Sequence, residues 1–165
     1  MHEYLGRAIV LDLMPRGKSD ARVVLFMEKI GKLTARAQSL RKITSKLAAH
    51  LQPGNIARVR VIEKGKLVQV VDALKTGKAG MDVEKLRQLS GLLAENQPEI
   101  KLWQEAAEDG ISWRNILKLL GWDPDHAACR VCGHLEVASF HPQTQDFFCG
   151  ECSSQLDVNE LIFMQ

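Results

Sequence analysis

Two pairs of closely spaced cysteines are the residues of this chain whose spacing points most clearly to chemistry. They form the pattern C-x2-C-x16-C-x2-C over residues 129–152, and the chain of 165 residues contains four cysteines in total. Structural zinc is bound by four thiolate or imidazole ligands in a tetrahedron, and two such pairs brought together by a loop supply them. The spacing therefore predicts a structural Zn²⁺ ion held by four thiolates, those of Cys129, Cys132, Cys149 and Cys152.

Other functions of these cysteines fit the sequence less well. A structural disulfide is disfavoured in the cytosol, where thiols stay reduced. A thioredoxin-like redox pair needs a βαβ context, which residues 129–152 lack. Zinc deaminases are suggested by HLE at 134–136. However, those enzymes have proline directly before the second cysteine pair, where this chain has Phe148, and they leave one zinc position to water.

Because four cysteines close the coordination shell, we expect a metal that stabilises structure and does not catalyse a reaction. Three histidines lie near the cysteine pairs, and we expect them at the surface or beside the ligands: His126, His134 and His141. Residues 127–165 are too few for a large core, so the metal would hold together a small zinc-binding module.

The charge of the chain is unevenly distributed, although the total is only +2. Residues 1–78 contain 16 Lys and Arg against 6 Asp and Glu, a net charge of +10, whereas residues 79–165 contain 6 against 14, a net charge of −8. Such a division indicates one part that binds a polyanion and another part with a different task. The alternative is a solvated surface on which the charges segregate without function.

The basic part has the pattern of a small β-barrel. Alternating or β-branched runs predict five strands, over residues 7–13, 22–28, 32–38, 57–61 and 67–74. A long connection, residues 39–54, separates the third strand from the fourth and can form a loop or a short helix. Five short strands with one long connection suit a partly open five-stranded barrel of the OB-fold type, although an SH3-like barrel has similar spacing.

The cations of this barrel are predicted to form one nucleic-acid-binding surface. They are Arg16, Lys18, Arg22, Lys32, Arg36, Arg41, Lys42, Lys46, Arg58, Arg60, Lys64 and Lys66. A surface of this kind binds phosphates by releasing counterions, so its affinity falls as the salt concentration rises. Only Tyr4 and Phe26 are aromatic within residues 1–78, and Phe26 lies in an apolar run typical of a core. With few aromatic platforms for bases, we expect weak sequence preference and tolerance of both single strands and duplex.

Short amphipathic helices are predicted between the barrel and the cysteines. The periodicity favours helices over residues 82–95, with Asp82 as N-cap, over 98–109, and over 113–120, with Ser112 as N-cap. The fold class is therefore α+β, with an OB-fold-like barrel over 1–78, a helical region over 79–126 and a zinc-binding module over 127–165. The apolar end of the chain, LDVNELIFMQ, is expected to pack against the helices or the barrel.

The sequence also indicates a cytoplasmic location. No apolar run reaches the roughly 18 residues that suggest a membrane span. The start, MHEYLGRAIVLDLMPRG, differs from a signal peptide because Arg7 and Asp12 interrupt its apolar stretch and no small-residue cleavage site follows. We expect no membrane partner.

The order of these parts resembles that of the RecO family of bacterial recombination mediators. The stretch RAIVLDLMPRGKSDARVVLFMEKIGKLTARAQSLRK is similar to the opening of that family. It has a turn ending in Ser19-Asp20, a strand with Leu25-Phe26, the triplet Gly31-Lys32-Leu33 and the basic pair Arg41-Lys42. The stretch LQPGNIARVRVIEKGKLVQVVDAL is similar to its fourth and fifth strands, including Leu-x-Pro at 51–53. The resemblance covers residues 5–76, and 129–152 by motif.

This resemblance implies a function. RecO proteins bind single- and double-stranded DNA, anneal complementary strands and help to load recombinase, together with the partner RecR and the acidic C-terminal tail of SSB. The resemblance assigns DNA contact to the cations of the barrel and metal binding to the four cysteines, and it implies a protein that is not an enzyme. Typical members have a longer helical domain, whereas thirteen residues follow Cys152 here. The shorter, acidic helical part predicts a reduced site for the SSB tail.

Two other functions are compatible with the same residues. A module that binds RNA or the ribosome would use the same barrel and zinc site, since both nucleic acids present phosphate. A protein-interaction adaptor would instead place the basic surface against an acidic partner. Binding to single-stranded DNA, to structured RNA or to neither distinguishes the three.

Overall fold

A computed structural model describes residues 1–108 and 110–164, and the chain divides into two compact units, Met1–Gly110 and Ile111–Gln165. The first unit contains the barrel and two helices, and the second contains one longer helix and the region of the cysteines. The helical region expected over 79–126 is therefore shared between the two units.

The first unit is built on a closed barrel with the strand order β1-β2-β3-β5-β4. The strands are β1 (His2–Arg16), β2 (Asp20–Met27), β3 (Gly31–Ala37), β4 (Asn55–Lys64) and β5 (Leu67–Lys78). Neighbours are antiparallel except β3 and β5, which are parallel and meet at Arg36 and Gln69. This is the OB-like barrel expected from the sequence, closed rather than partly open because the single β3–β5 pairing completes it.

Apolar side chains, which alternate with polar ones along the strands, fill the interior of the barrel. On β3, Leu33, Ala35 and Ala37 are buried while the residues between them are partly exposed, as predicted. Several strands are longer than predicted, most of all β1, whose polar residues from His2 onward pair with β4. Pairing with a neighbour extends a strand through residues that carry no apolar pattern. Irregularities in register, such as that between Val10 and Asp12, interrupt the ladder of these long strands.

The long connection between β3 and β4 is a series of turns with two buried anchors. Leu40 and Leu51 are 2% and 0% exposed and belong to the barrel core. The buried amide of Asn55 donates to the carbonyl oxygens of Ala49 and His50 at 3.3 and 3.2 Å. Of the two forms expected for this segment, the structure has the loop.

Two helices belong to the first unit, α1 (Val83–Leu92) and α2 (Ile100–Glu108). Asp82 caps α1 as predicted, accepting the Lys85 N–H. Helix α2 leaves Ile100 at its start 50% exposed. Its buried residues are Leu102, Trp103 and Ala106. The Trp103 indole donates to the Phe26 carbonyl at 2.6 Å, which fixes the rotation of the helix.

The second unit combines a short helix with a small sheet. Helix α3 (Trp113–Leu119) is capped by Ser112, as predicted. A 3-10 turn, Pro124–His126, leads to β6 (Ser139–His141), β7 (Asp146–Phe148), α4 (Gly150–Ser153) and β8 (Ile162–Phe163), with β6 central in the sheet. The apolar end of the chain was expected on the helices or the barrel. It instead contributes β8, which pairs with β6.

None of the described helices could span a membrane, since the longest, α1, has 10 residues against the roughly 20 that a bilayer requires.

Candidate metal centre and candidate nucleic-acid interface

The first cysteine pair lies on a tight turn before β6. The Cys129 N–H donates to the His134 carbonyl at 2.8 Å, and the Gly133 N–H donates to the Cys129 carbonyl at 2.9 Å. Gly133 has a φ of +76°, in the left-handed region that favours glycine, so the turn closes without steric cost at this position. The turn directs the Cys129 and Cys132 side chains to one place.

The second pair lies where β7 ends and α4 begins. Cys149 is the N-cap of α4, and the Cys152 N–H points at its sulfur at 3.5 Å. The Ser153 hydroxyl donates to the Cys149 carbonyl at 2.8 Å and ties the short helix to the strand end. This strand-to-helix junction puts the third and fourth thiols beside the first two.

The four sulfurs lie close enough together to surround a single metal ion. All four Sγ atoms lie within 4.8 Å of one another, and those of Cys132 and Cys149 are 3.7 Å apart. A tetrahedron with Zn–S bonds of about 2.3 Å separates its sulfurs by about 3.8 Å. The cluster can therefore hold a metal ion, as the sequence predicted.

The surroundings of the cysteine cluster shift the pKa values of three of its thiols in different directions. Backbone N–H groups of Cys132 and Cys149 lower the pKa of the Cys129 thiol to about 6. Contact with the Cys149 sulfur, together with burial, raises the pKa of the Cys152 thiol to about 12. At Cys132 the His134 N–H lowers the thiol pKa, but the neighbouring thiols raise it by more. Four thiolates this close repel one another, and a divalent cation offsets that repulsion.

The cysteine cluster has a buried and an open side. Cys129 and Cys149 are buried with Phe148 and Leu161, whereas Cys132 is exposed. The three nearby histidines bind other groups: His126 contacts Asp123, the His134 ring accepts the Glu136 N–H, and His141 contacts Glu160. The candidate ligand set among the described residues consists of the four cysteines.

A second candidate site is a basic groove on the β2–β3 side of the barrel. Its volume is about 380 Å³, and four cations line it: Arg16, Arg22, Arg36 and Lys66. Arg22 and Arg36 are direct cross-strand partners, while Arg16 ends β1 and Lys66 lies in the β4–β5 turn. Leu67 and Val68 form part of the apolar wall. We call this cavity the basic groove.

Further cations lie beside the basic groove. Lys18 is exposed in the turn between β1 and β2. The long connection is tied to that turn, since the Arg41 guanidinium donates to the Gly17 carbonyl at 3.2 Å and the Arg41 N–H to the Ser19 carbonyl at 2.9 Å. The same connection carries Lys42 and Lys46, both exposed, and Lys64 is exposed at the end of β4.

The remaining predicted cations lie elsewhere, so the structure divides what the sequence predicted as one surface. Arg58 lines a different cavity of about 420 Å³ with Arg7 and Glu28. Arg60, on the same strand, contacts Glu3 at 3.4 Å. The reason is the barrel order, in which β4 is next to β1 and β5 and not next to β2 or β3.

Two predicted DNA-binding residues are engaged within the protein. The Lys32 ammonium donates to the Ser90 and Leu93 carbonyls at the end of α1, at 2.8 and 3.3 Å. Arg36 forms an ion pair with Asp20, which sequence reasoning did not assign to the site. One feature of the sequence could have indicated Asp20: it is a carboxylate at the start of β2, next to a turn rich in cations.

The comparisons with known proteins agree with this arrangement. Residues 1–76 match the family model described as recombination protein O N terminal. The chain is also 26% identical over 179 aligned positions to the DNA repair protein RecO of Thermodesulfovibrio yellowstonii, an alignment that covers 93% of this chain and 71% of the relative. The matched model spans the barrel, and the alignment extends across both units. The resemblance to the RecO family stated from the sequence is thereby confirmed.

Proposed function

We propose that this protein is a DNA repair and recombination mediator that binds single- and double-stranded DNA through the basic groove and promotes strand annealing and recombinase loading. The observation that carries the proposal is the convergence of Arg16, Arg22, Arg36 and Lys66 on one cavity of the OB-like barrel. The family resemblance supports the role in DNA repair.

The groove suits a phosphate backbone better than an isolated anion. Its four cations come from the end of β1, from the β4–β5 turn and from strands β2 and β3, and they line one cavity. Lys18 and Arg41 extend the positive charge beyond the groove onto the adjoining turn and connection, over a longer path than one isolated anion would need. Spaced cations of this kind track a charged strand, and single strands and duplex both offer one.

Zinc has a structural role in this proposal. Cys129, Cys132, Cys149 and Cys152 would bind Zn²⁺ and hold the turn before β6 to the start of α4. Since four protein ligands leave no position for water, the ion would activate no substrate and the protein would act by binding alone, without enzymatic activity.

The partners follow from the family resemblance. A protein like RecR would join the barrel–DNA complex, in the bacterial cytosol. The acidic tail of SSB is a weaker proposal, because residues 111–165 contain 7 Asp and Glu against 3 Lys and Arg and would repel an acidic peptide.

The test combines DNA binding with annealing of two complementary oligonucleotides at several salt concentrations. We expect binding that weakens as salt rises, and faster annealing with protein than without. Arg22→Glu should lower the affinity for every sequence. It should also reduce the salt slope by about 0.7 for each phosphate of a single strand that the protein no longer neutralises. The matched control is Lys101→Glu, an exposed cation on α2 outside the groove.

Three outcomes would contradict the proposal in different ways. An equal drop in affinity in the Lys101→Glu control would mean that net charge matters and the groove does not. A strong preference for structured RNA over single-stranded DNA would favour an RNA-binding module. Failure to bind any nucleic acid would assign the basic surface to an acidic protein partner.

A further inference from the structure

One apolar side chain stands fully in solvent among the cations beside the basic groove. Ile43 has a relative exposure of 105%, the largest among the exposed apolar residues described. Its neighbours in sequence include Arg41, Lys42 and Lys46, all exposed. A branched aliphatic side chain in this position makes no contact that stabilises the barrel, so its apolar surface is free for a ligand.

The turn that carries Ile43 is held in place. The Ser45 N–H donates to the Lys42 carbonyl at 2.9 Å, which closes a turn with Ile43 directly after its first residue. The Lys42 N–H donates to the Ser39 carbonyl at 3.1 Å, and the Arg41 N–H reaches the Ser19 carbonyl at 2.9 Å. The side chain is thus presented on a hydrogen-bonded turn anchored to the β1–β2 turn that borders the basic groove.

The basic groove contains no aromatic side chain among the residues that line it. Phe26 is 0% exposed, and the Tyr4 hydroxyl donates to Glu63 at 3.0 Å on another part of the barrel. The apolar surface available to a base is aliphatic: Leu67, 41% exposed within the groove, and Ile43 on the adjoining turn.

We infer that Ile43 is a base-contacting residue that packs against, or inserts between, unpaired bases of a strand whose phosphates lie in the basic groove. This inference rests on the proposed function and adds that the protein contacts the bases as well as the phosphates. Proteins that deform nucleic acids insert aliphatic wedges, isoleucine included, between bases while cations nearby hold the phosphates. Arg41 and Lys42, the two exposed residues directly before Ile43, supply those cations.

Contact with bases has a consequence for annealing. A strand held only by its phosphates stacks as it does in solution. An aliphatic side chain against the bases would separate neighbouring bases and leave their Watson–Crick edges free for a complementary strand. Because an aliphatic surface makes no hydrogen bonds, it would accept any base, in agreement with the weak sequence preference expected from the groove.

The experiment compares an ordinary mixed-sequence oligonucleotide with an abasic strand of the same length and phosphate count. The wild-type protein should bind the ordinary strand more tightly. Ile43→Asn should lower the affinity for the ordinary strand roughly fivefold, as expected when part of an aliphatic side chain is no longer buried by the bases. It should leave the affinity for the abasic strand and the salt slope unchanged. Ile100→Asn, at a half-exposed isoleucine of α2, is the matched control and should change neither.

A second readout is the fluorescence of 2-aminopurine placed in the strand, which rises when the base leaves the stack. We expect the wild-type protein to raise it and Ile43→Asn to abolish the rise. Salt-sensitive binding that does not distinguish ordinary from abasic strands would overturn the role of Ile43 and leave the phosphate-binding groove intact. Absence of binding to both strands would overturn the groove and the inference together.

Discussion

Asp20, which begins β2, binds Arg36 near the end of the neighbouring strand β3, with Arg36 Nε donating to Asp20 Oδ2 at 2.8 Å. The other oxygen of the same carboxylate accepts the Ser39 N–H at 2.7 Å. Ser39 has a φ of +54°, which is unusual for a residue other than glycine. Asp20 therefore orients a cation of the basic groove and also fixes the start of the long connection.

This arrangement predicts a specific loss of stability in acid. The Ser39 N–H and the Arg36 guanidinium lower the pKa of Asp20 below its ordinary value of 3.8. Because the folded-state pKa of Asp20 is depressed, the stability that its ionised carboxylate adds is present above pH 3.8. That stability is lost as the pH falls through the folded-state pKa. Asp20→Asn should remove this part of the pH dependence, measured as the free energy of unfolding in urea from neutral to acidic pH.

The control for Asp20→Asn is Asp72→Asn, an exposed carboxylate whose one described hydrogen bond is local, to the Ala73 N–H. Its curve should keep the wild-type shape in acid. If Asp20→Asn also kept that shape, the ion pair would contribute nothing to folding, and Arg36 would be free to bind phosphate alone.

Lys32 is predicted to stabilise the fold and not to bind DNA. Its ammonium donates to two carbonyls at the end of α1, where the helix leaves acceptors without partners. Lys32→Met keeps the apolar stem and removes the charge, and should lower the free energy of unfolding by about 1 kcal/mol. The salt slope of DNA binding should stay at the wild-type value.

The matched control is Lys29→Met, an exposed lysine three positions away in the sequence. It should leave stability within about 0.5 kcal/mol of the wild type. A reduced salt slope for Lys32→Met at unchanged stability would return Lys32 to the nucleic-acid interface.

Local features of this structure were predictable from the sequence because each is decided within a few residues. The alternation of Leu33, Ala35 and Ala37 sets the inner face of β3, and Asp82 and Ser112 cap their helices through hydrogen bonds three residues away. The cysteine cluster was predictable for a similar reason, since each pair is one tight turn.

The distribution of the cations was not predictable because it depends on which strands are neighbours. Alternation shows that Arg22 and Arg58 point outward, but only the barrel order separates them onto different cavities. The partner of Lys32 lies 58 residues away at Ser90, and no pattern within β3 reveals it. For the same reason the sequence did not predict that the apolar chain end pairs with β6, because this pairing joins distant segments of the chain.

Metal removal is predicted to unfold the small sheet of the second unit. Cys129 and Cys149 share a cluster with Phe148 and Leu161, so loss of the ion would expose thiols and release the apolar residues that pack on them. A chelator should collapse the amide resonances of β6 and β7 in an NMR spectrum while those of the barrel remain, and added Zn²⁺ should restore them. X-ray absorption of the loaded protein should show four sulfur ligands at about 2.3 Å.

Single substitutions test the same site. Cys149→Ser should lower metal affinity strongly, since it removes a ligand that also caps α4. The control is His134→Ala, whose ring accepts the Glu136 N–H and does not belong to the candidate cluster, and which should bind metal normally. Loss of metal from His134→Ala with retention by Cys149→Ser would show that the ligands are wrongly assigned.

The buried hydrogen bond between Trp103 and Phe26 is predicted to be a main support of α2 on the barrel. The indole N–H donates to the Phe26 carbonyl at 2.6 Å, with the two residues 1% and 0% exposed. Trp103→Phe keeps an aromatic ring but removes the indole donor to that carbonyl and leaves a smaller side chain in a buried position. It should therefore lower the free energy of unfolding by about 1–3 kcal/mol in urea, followed by circular dichroism.

Trp103→Phe would also weaken the stacking of Arg7, whose guanidinium lies 4.8 Å from the centre of the indole ring, because phenylalanine attracts a cation less than tryptophan does. Ile100→Ala, half-exposed on the same helix, is the control and should change stability by about 0.5 kcal/mol or less. If Trp103→Phe were equally mild, the indole hydrogen bond would contribute little, and α2 would be held on the barrel by apolar packing alone.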